Sequence, residues 1–225
     1  MQRRTLFVGA GAVVVAAALA AGAAGLAART GRADFSARVD NPWFPLTPGT
    51  TYVYTGLKDG KPARDVLTVT HQTATIAGAR CVVVNDRLYL RGRLAERTTD
   101  WYTQDQQGNV WYFGETTAEF DARGRLTSTE GTWRAGVDGA QPGIYMPAHP
   151  RVGQSGRQEY YKGQAEDHFR VIGLFGKTAV LTEETTPLEP GVVDYKLYAR
   201  GVGTVLERTV KGGDELLQLV SVRRV

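Results

Sequence analysis

The sequence predicts an all-β protein: a meandering antiparallel sheet, either curved or closed into a barrel-like or sandwich-like form, with about a dozen strands. Three observations lead to this prediction. Short runs rich in β-branched and aromatic residues follow one another from residue 51 onward, Gly, Asp and Asn separate them, and no convincing helical period occurs. Such regular spacing favours hairpins between strands that are neighbours in the sequence.

Residues 1–33 precede this pattern and have the composition of an export signal or a membrane anchor. Four arginines and no acidic residue flank an uncharged run from Leu6 to Ala28, which is rich in Ala, Gly, Val and Leu. Secretory leaders combine these features with small residues at a cleavage point. The run is also long enough to cross a bilayer as a helix if it is not cleaved. We therefore expect a leader helix, then one extracytoplasmic domain over residues 34–225, secreted or held at the membrane facing outward.

The positive net charge of the chain comes from the leader. The whole chain has 27 Lys and Arg against 23 Asp and Glu, and Arg3, Arg4, Arg29 and Arg32 account for the difference of four. The remaining domain is neutral and has no basic stripe, which argues against a nucleic-acid partner. No glycine-rich loop opens a βαβ unit, so no nucleotide cofactor is expected, and His149 and His168 lack the spacing of a metal site. Cys81, in an apolar strand, is expected in the core.

Along the chain, the strand signals alternate with recognisable turns. Residues 193–199 alternate apolar and polar side chains as in a strand with one wet face, whereas residues 110–113 are apolar on both faces and predict a central strand. Hairpin turns are predicted at residues 106–108, 122–125 and 212–213. Residues 136–150 contain three prolines, which lack the N–H donor of a strand ladder, and predict a long loop. We expect its Ile144, Tyr145 and Met146 to pack on the strand that begins near Trp111 and to cover a groove.

The hairpin around residues 106–108 predicts which side chains share a face. If Asp105 faces Asn109, Trp101 lies opposite Phe113, and Glu115 is on the same face of the sheet. Aromatic rings beside a carboxylate can stack on a sugar ring or hold an apolar ligand by its polar end, although cross-strand aromatic pairs are also ordinary core. The predicted ligand-binding residues are Trp101, Trp111, Tyr112, Phe113, Glu115, Trp133, Tyr145 and Met146.

Three functions remain open at this point. The leading one is a non-catalytic module that binds an apolar or carbohydrate small molecule or an envelope component. The second is a hydrolase of cell-surface carbohydrate that uses two carboxylates among Asp105, Glu115, Glu159 and Glu166, because glycoside hydrolysis needs such a pair. The third is a structural envelope protein whose aromatic residues are only core. No catalytic residue is singled out by spacing, and no metal or other cofactor is implied.

Several segments resemble a family of uncharacterised exported β-rich proteins of high-GC bacteria. The most specific is Asp100-Trp101-Tyr102-Thr103-Gln104-Asp105-Gln106-Gln107-Gly108-Asn109-Val110-Trp111-Tyr112-Phe113-Gly114-Glu115, and the segments at residues 41–46, 136–143, 157–161 and 198–203 are similar too. The resemblance covers most of the domain. It implies export and carries no assigned activity or catalytic residue.

Overall fold

The computed structural model describes residues 35–225, in which there are sixteen strands and no helix. The all-β prediction is thereby confirmed, while the leader helix and its cleavage lie outside the described residues. The structure has more strands than the dozen that the sequence predicts, and the strands that were not predicted are mostly short. The strands are β1 (Phe35–Ser36), β2 (Thr50–Lys58), β3 (Lys61–Ile76), β4 (Ala79–Leu90), β5 (Arg93–Asp105), β6 (Val110–Phe120), β7 (Leu126–Ser128), β8 (Trp133–Arg134), β9 (Gln141–Met146), β10 (Ser155–Arg157), β11 (Glu159–Tyr160), β12 (His168–Phe175), β13 (Ala179–Thr185), β14 (Val193–Ala199), β15 (Gly203–Lys211) and β16 (Leu216–Arg224).

The strands form one antiparallel sheet whose two ends meet. Its order is β10-β12-β13-β14-β15-β16-β2-β3-β4-β5-β6-β9-β11, so most neighbours in the sheet are neighbours in the sequence. The two terminal strands of this path, β10 and β11, are separated in the chain by Gln158 alone. The Gln158 N–H donates to the Asp167 carbonyl oxygen at 2.8 Å at this junction. The sheet is therefore almost closed into a barrel, which leaves few unpaired edges.

The antiparallel order places the connections at two opposite ends of this barrel. The entry end comprises residues 35–49 and the turns at residues 106–109, 175–178 and 200–202. The far end comprises the turns at residues 59–60, 91–92, 121–125 and 212–214. The predicted turns at residues 106–108, 122–125 and 212–213 are confirmed. In the first, the Asp105 N–H donates to the Asn109 carbonyl oxygen at 3.0 Å.

The segment before β2 folds into the entry end and contributes to the core. Trp43 and Phe44 are buried, and the Phe44 ring lies 4.6 Å from that of Tyr145. Asn41 is also buried, and its side chain donates to the carbonyl oxygens of Gly108 and Pro147 at 2.8 and 3.2 Å. These bonds fix the segment against two loops. Residues 39–46 thus close one end of the barrel interior.

The core position predicted for Cys81 is confirmed. Its side chain is fully buried in β4, and burial raises the pKa of the thiol to about 12. A thiol that remains protonated is a poor nucleophile. Within residues 35–225 no helix is long and apolar enough to span a bilayer.

The prediction of a long loop over residues 136–150 is wrong for the central part of that segment. Residues 141–146 form β9, which pairs with β6 on one side and β11 on the other. Only Pro142 lies within this strand, near its start, where a missing N–H is tolerated. Met146 is 1% exposed and Val110 is its partner. This segment is therefore part of the core and does not form a cover over a groove.

Candidate functional site

A bulge in the β5–β6 hairpin decides which side chains face the barrel interior. Thr103 lies opposite Trp111, which is the register of a hairpin in which Asp105 faces Asn109, but the register shifts at Trp101, the next residue of β5 on that face. Trp101 then faces two residues of β6, Phe113 and Gly114, instead of Phe113 alone. The backbone of Gly114 has a φ of 133°, a conformation that essentially only glycine adopts.

The bulge moves Glu115 to the opposite face from the one predicted. Its direct cross-strand partner is Asp100, and the next pair along the same face is Tyr102 with Tyr112. The prediction that Glu115 shares a face with Trp101 and Phe113 is therefore wrong. It shares one with a buried carboxylate and two tyrosines.

The eight predicted ligand-binding residues consequently fall into two groups. Tyr112 stacks on Tyr102 at 4.7 Å between ring centroids and meets the edge of Trp133 at 5.5 Å. Tyr145 is the extra residue of a second bulge, in β9, and its ring lies 5.2 Å from that of Tyr102. These rings, together with Glu115, belong to the interior. Met146 lies in the core nearby.

The other three predicted residues lie on the outer face of the hairpin. The ring of Phe35 covers Trp111 and Phe113, at centroid distances of 5.9 and 5.2 Å. The guanidinium of Arg134 lies over the Trp101 ring, 5.5 Å from the ring centroid. The indole N–H of Trp111 also donates to Asp105 at 2.8 Å. The structure therefore assigns packing roles to these three side chains and does not bring them to the interior site.

A polar cavity of about 240 Å³ lies inside the barrel, beside the interior tyrosines. That volume far exceeds the roughly 10–15 Å³ that a single water needs, so a small ring-sized molecule fits. Aromatic rings line the side toward the entry end, and charged groups line the rest. The lining residues are Phe44, Tyr54, Lys58, Asp65, Leu67, Asp86, Leu88, Glu96, Thr98, Asp100, Tyr102, Tyr145, Lys196, Thr204, Glu207, Glu215 and Leu217.

Two lysines neutralise part of the acidic lining. Lys58 pairs with Glu215 at 2.9 Å near the far end, and Lys196 pairs with Glu184 at 3.0 Å and Glu207 at 3.6 Å. Burial opposes the charge of Lys196, but the two carboxylates outweigh it and raise its pKa well above the ordinary value. Burial also raises the pKa of Glu207 to about 7, against the opposing effect of Lys196. Both lysines are thus held by acids of the cavity wall.

The wall formed by β3 and β4 has no such cation. The Oδ1 atoms of Asp65 and Asp86 are buried and have no hydrogen-bond partner within residues 35–225. Burial and the neighbouring Asp86 raise the pKa of Asp65 to about 11. The Asp65–Asp86 pair therefore holds a proton at neutral pH. On the wall formed by β3 and β4, a bound proton removes negative charge, whereas on the opposite wall lysine side chains neutralise it.

The bulge pairs Asp100, which lines the cavity, with Glu115, which does not. The Tyr112 hydroxyl donates to Asp100 at 2.6 Å, and the Thr117 hydroxyl donates to Glu115 at 3.1 Å. Burial, with Glu115 next, raises the pKa of Asp100 well above its ordinary value, and burial raises the pKa of Glu115 to about 7. When it is protonated, the Asp100 carboxyl can donate as well as accept a hydrogen bond.

The four carboxylates proposed for hydrolysis are only partly brought together. Asp105 stabilises its own hairpin by accepting from the Asn109 N–H at 2.8 Å, and Glu166 accepts from the Gly163 N–H at 2.7 Å in a surface turn. Glu159 is buried, and burial, followed by Asp167 and Glu115, raises its pKa. Glu115 and Glu159 therefore share one buried acidic region, whereas Asp105 and Glu166 have local structural roles.

Sequence reasoning missed most of the charged cavity residues. Asp65 and Leu67, Asp86 and Leu88, and the series at residues 96, 98, 100 and 102 repeat at every second position of β3, β4 and β5. This period of two marks a single face of each strand. The sequence contained one signal for a polar interior, because polar side chains recur on the same strand face as Val or Leu. No group of three or more His, Cys, Asp or Glu side chains in residues 35–225 is arranged to hold a metal ion.

Comparison with known proteins identifies no relative by sequence. No family model matches the chain. No curated protein is significantly similar to it. Among solved structures, it is similar to a candidate lipoprotein from Parabacteroides distasonis ATCC 8503, with a TM-score of 0.40 and 11% sequence identity, over 81% of this chain and 99% of that one.

Proposed function

We propose that the chain is an exported or membrane-tethered module that binds a small hydroxyl-rich molecule, of the carbohydrate class, inside its barrel. The observation that carries the proposal is the interior cavity, in which tyrosine rings and carboxylates line one space. Ligand pockets commonly combine an aromatic surface with a few well-placed polar groups. The leader predicted from residues 1–33 supports the export part of the proposal.

The chemistry of the lining favours a hydroxylated ligand over an apolar one. Asp86, Glu96 and Glu207 offer carboxylate oxygens, which accept hydrogen bonds from hydroxyl groups. Tyr102 and Tyr145 offer ring surface next to them. An apolar molecule would leave the buried Oδ1 atom of Asp86 without a donor, at a cost of about 1–3 kcal/mol.

The Lys58–Glu215 ion pair at the far end marks the proposed route of a ligand into the cavity. Lys58 and Glu215 have side chains that are 33% and 20% exposed, whereas Phe44 at the other end is buried. A ligand therefore enters past the Lys58–Glu215 pair. The rings around Phe44 form the closed base of the site.

A monosaccharide panel tests this proposal. We expect at least one neutral or amino sugar to raise the melting temperature of the chain and to give a saturable heat of binding. Asp100→Asn and Tyr145→Phe should weaken that binding, because both side chains line the cavity. Glu183→Gln, on the outer face of β13, is the matched control and should bind as the parent does. Equal binding by all variants would place the ligand elsewhere and overturn the proposal.

A hydrolase acting on cell-surface carbohydrate is the second candidate. It is favoured by the Asp100–Glu115 pair, since directly opposite residues have Cβ atoms about 5 Å apart and raised pKa values suit a general acid. Release of reducing sugar from envelope polysaccharide, abolished by Glu115→Gln and by Asp100→Asn, would support it. Binding without turnover would leave the module as proposed.

A further inference from the structure

A second cavity, of about 420 Å³, opens at the entry end, apart from the interior site. It lies between the 175–178 hairpin tip, the 106–109 turn and the loop that carries His149. The guanidinium of Arg200 lies over the Trp43 ring at 5.3 Å from its centroid and forms part of the wall. We name this opening and the hairpin tip beside it the entry face.

The entry face carries positive charge that no carboxylate neutralises. Within residues 35–225, Lys177 and Arg200 both line the cavity without an ion-pair partner. The one acid of the lining, Asp40, is already engaged by Arg38 at 3.0 Å and by the Gln104 side chain at 2.8 Å. The cavity therefore suits a negatively charged group.

Apolar side chains project from the same face. Leu174 and Phe175, at the hairpin tip, are 41% and 55% exposed, and Val152 in the adjoining loop is 62% exposed. Single exposed apolar residues are common, but three beside two unpaired cations form the combination that binds the headgroup region of a membrane. An anionic lipid supplies both the phosphate and the apolar boundary that this face lacks.

The described part of the chain begins at this face. Phe35, the first described residue, pairs with Asp105, directly beside the 106–109 turn that lines the cavity. Thirty-four residues precede it, and they include the uncharged run from Leu6 to Ala28. An anchor made by that run would hold the entry end, and not the far end, against the bilayer.

From these observations we infer that the entry face docks on an anionic lipid surface, with a lipid phosphate in the cavity between Lys177 and Arg200. Attraction of this kind contributes about a fivefold gain in affinity for each basic residue close to such a surface. The far end, where a ligand enters the interior site, then points away from the membrane. The inference does not depend on which ligand that site binds.

Hydrogen exchange of the full chain on lipid vesicles tests it. On phosphatidylcholine vesicles that contain phosphatidylglycerol, we expect exchange at residues 174–178 and 148–153 to slow several-fold relative to phosphatidylcholine alone, and the slowing to diminish in high salt. Lys177→Glu, at the exposed hairpin tip, should remove the difference between the two lipids. Phe175→Ser should weaken protection on both vesicles.

Matched variants and readouts make the result decisive. Lys211→Glu reverses a comparable exposed charge at the far end and should leave the protection unchanged. An unchanged circular dichroism spectrum of Lys177→Glu excludes loss of the fold as the cause. Equal protection on both lipids, protection that survives Lys177→Glu, or no protection at all would overturn the inference. Protection by an added protein extract without lipid would point to a protein partner and would also overturn it.

Discussion

Asp100 and Glu115 lie directly opposite each other across β5 and β6, with Asp100 in the wall of the interior cavity. This pairing exists because Phe113 and Gly114 together face Trp101, which shifts Glu115 by one position. The relationship connects a local backbone feature to the chemistry of the site. Without the bulge, Glu115 would point to the outer face.

The first prediction concerns the bulge itself. Gly114→Ala should lower the free energy of unfolding by about 2 kcal/mol or more, because its φ of 133° is unfavourable to any other residue and a Cβ would lie 2.5 Å from the Trp133 carbonyl oxygen. Urea unfolding followed by circular dichroism measures the change. Gly124→Ala is the control: its φ is also positive, at 75°, but its Cβ would meet nothing within 4 Å, so a loss of about 1 kcal/mol is expected. Equal losses would contradict the clash.

The second prediction concerns pH. Burial raises the pKa of Glu115 from 4.5 to about 7, so the folded state binds more protons than the unfolded state between these values. Stability from this group is then greatest below about pH 4.5 and falls as the pH rises to about 7. Glu115→Gln removes the titration, and its melting temperature should fall less steeply than that of the parent from pH 5 to pH 7. Parallel curves would show that Glu115 titrates normally, and Glu183→Gln should give such parallel curves.

The third prediction concerns β9. Met146→Ala should cost about 2–5 kcal/mol, because the side chain is 1% exposed and its removal leaves a cavity in the core. Val137→Ala, at a position that is 48% exposed, should change stability by less than about 0.5 kcal/mol. Denaturant unfolding distinguishes the two. A small effect at Met146 would restore the view of residues 136–150 as a cover that lies on the sheet.

The fourth prediction concerns the 106–109 turn. Asp105 accepts hydrogen bonds from the Asn109 side chain and the Trp111 indole, each at 2.8 Å, as well as from the Asn109 backbone N–H. Asp105→Ala should therefore destabilise the domain by about 1–3 kcal/mol without altering ligand binding. Asp105→Asn keeps one acceptor oxygen and should cost less. A loss of ligand binding with full stability would instead assign Asp105 to the site.

The sequence was sufficient to predict the fold class and three hairpin turns, because alternation and turn residues act locally. It was insufficient for Glu115 and for β9, since both depend on distant partners. The bulge at Gly114 accommodates the close approach of the β8 backbone at Trp133, and β9 is held between β6 and β11 despite Pro142. The same limit explains the missed Asp65–Asp86 wall, whose carboxylates meet only when β3 and β4 pair.

A structure of the chain crystallised with the sugar that binds best in the monosaccharide panel tests the central claim most directly. The proposal predicts electron density for one sugar inside the barrel, between the Tyr145 ring and the Lys58–Glu215 ion pair, with its hydroxyl groups on the cavity carboxylates. An interior that contains only water at saturating sugar, or a sugar bound outside the barrel, would contradict the claim.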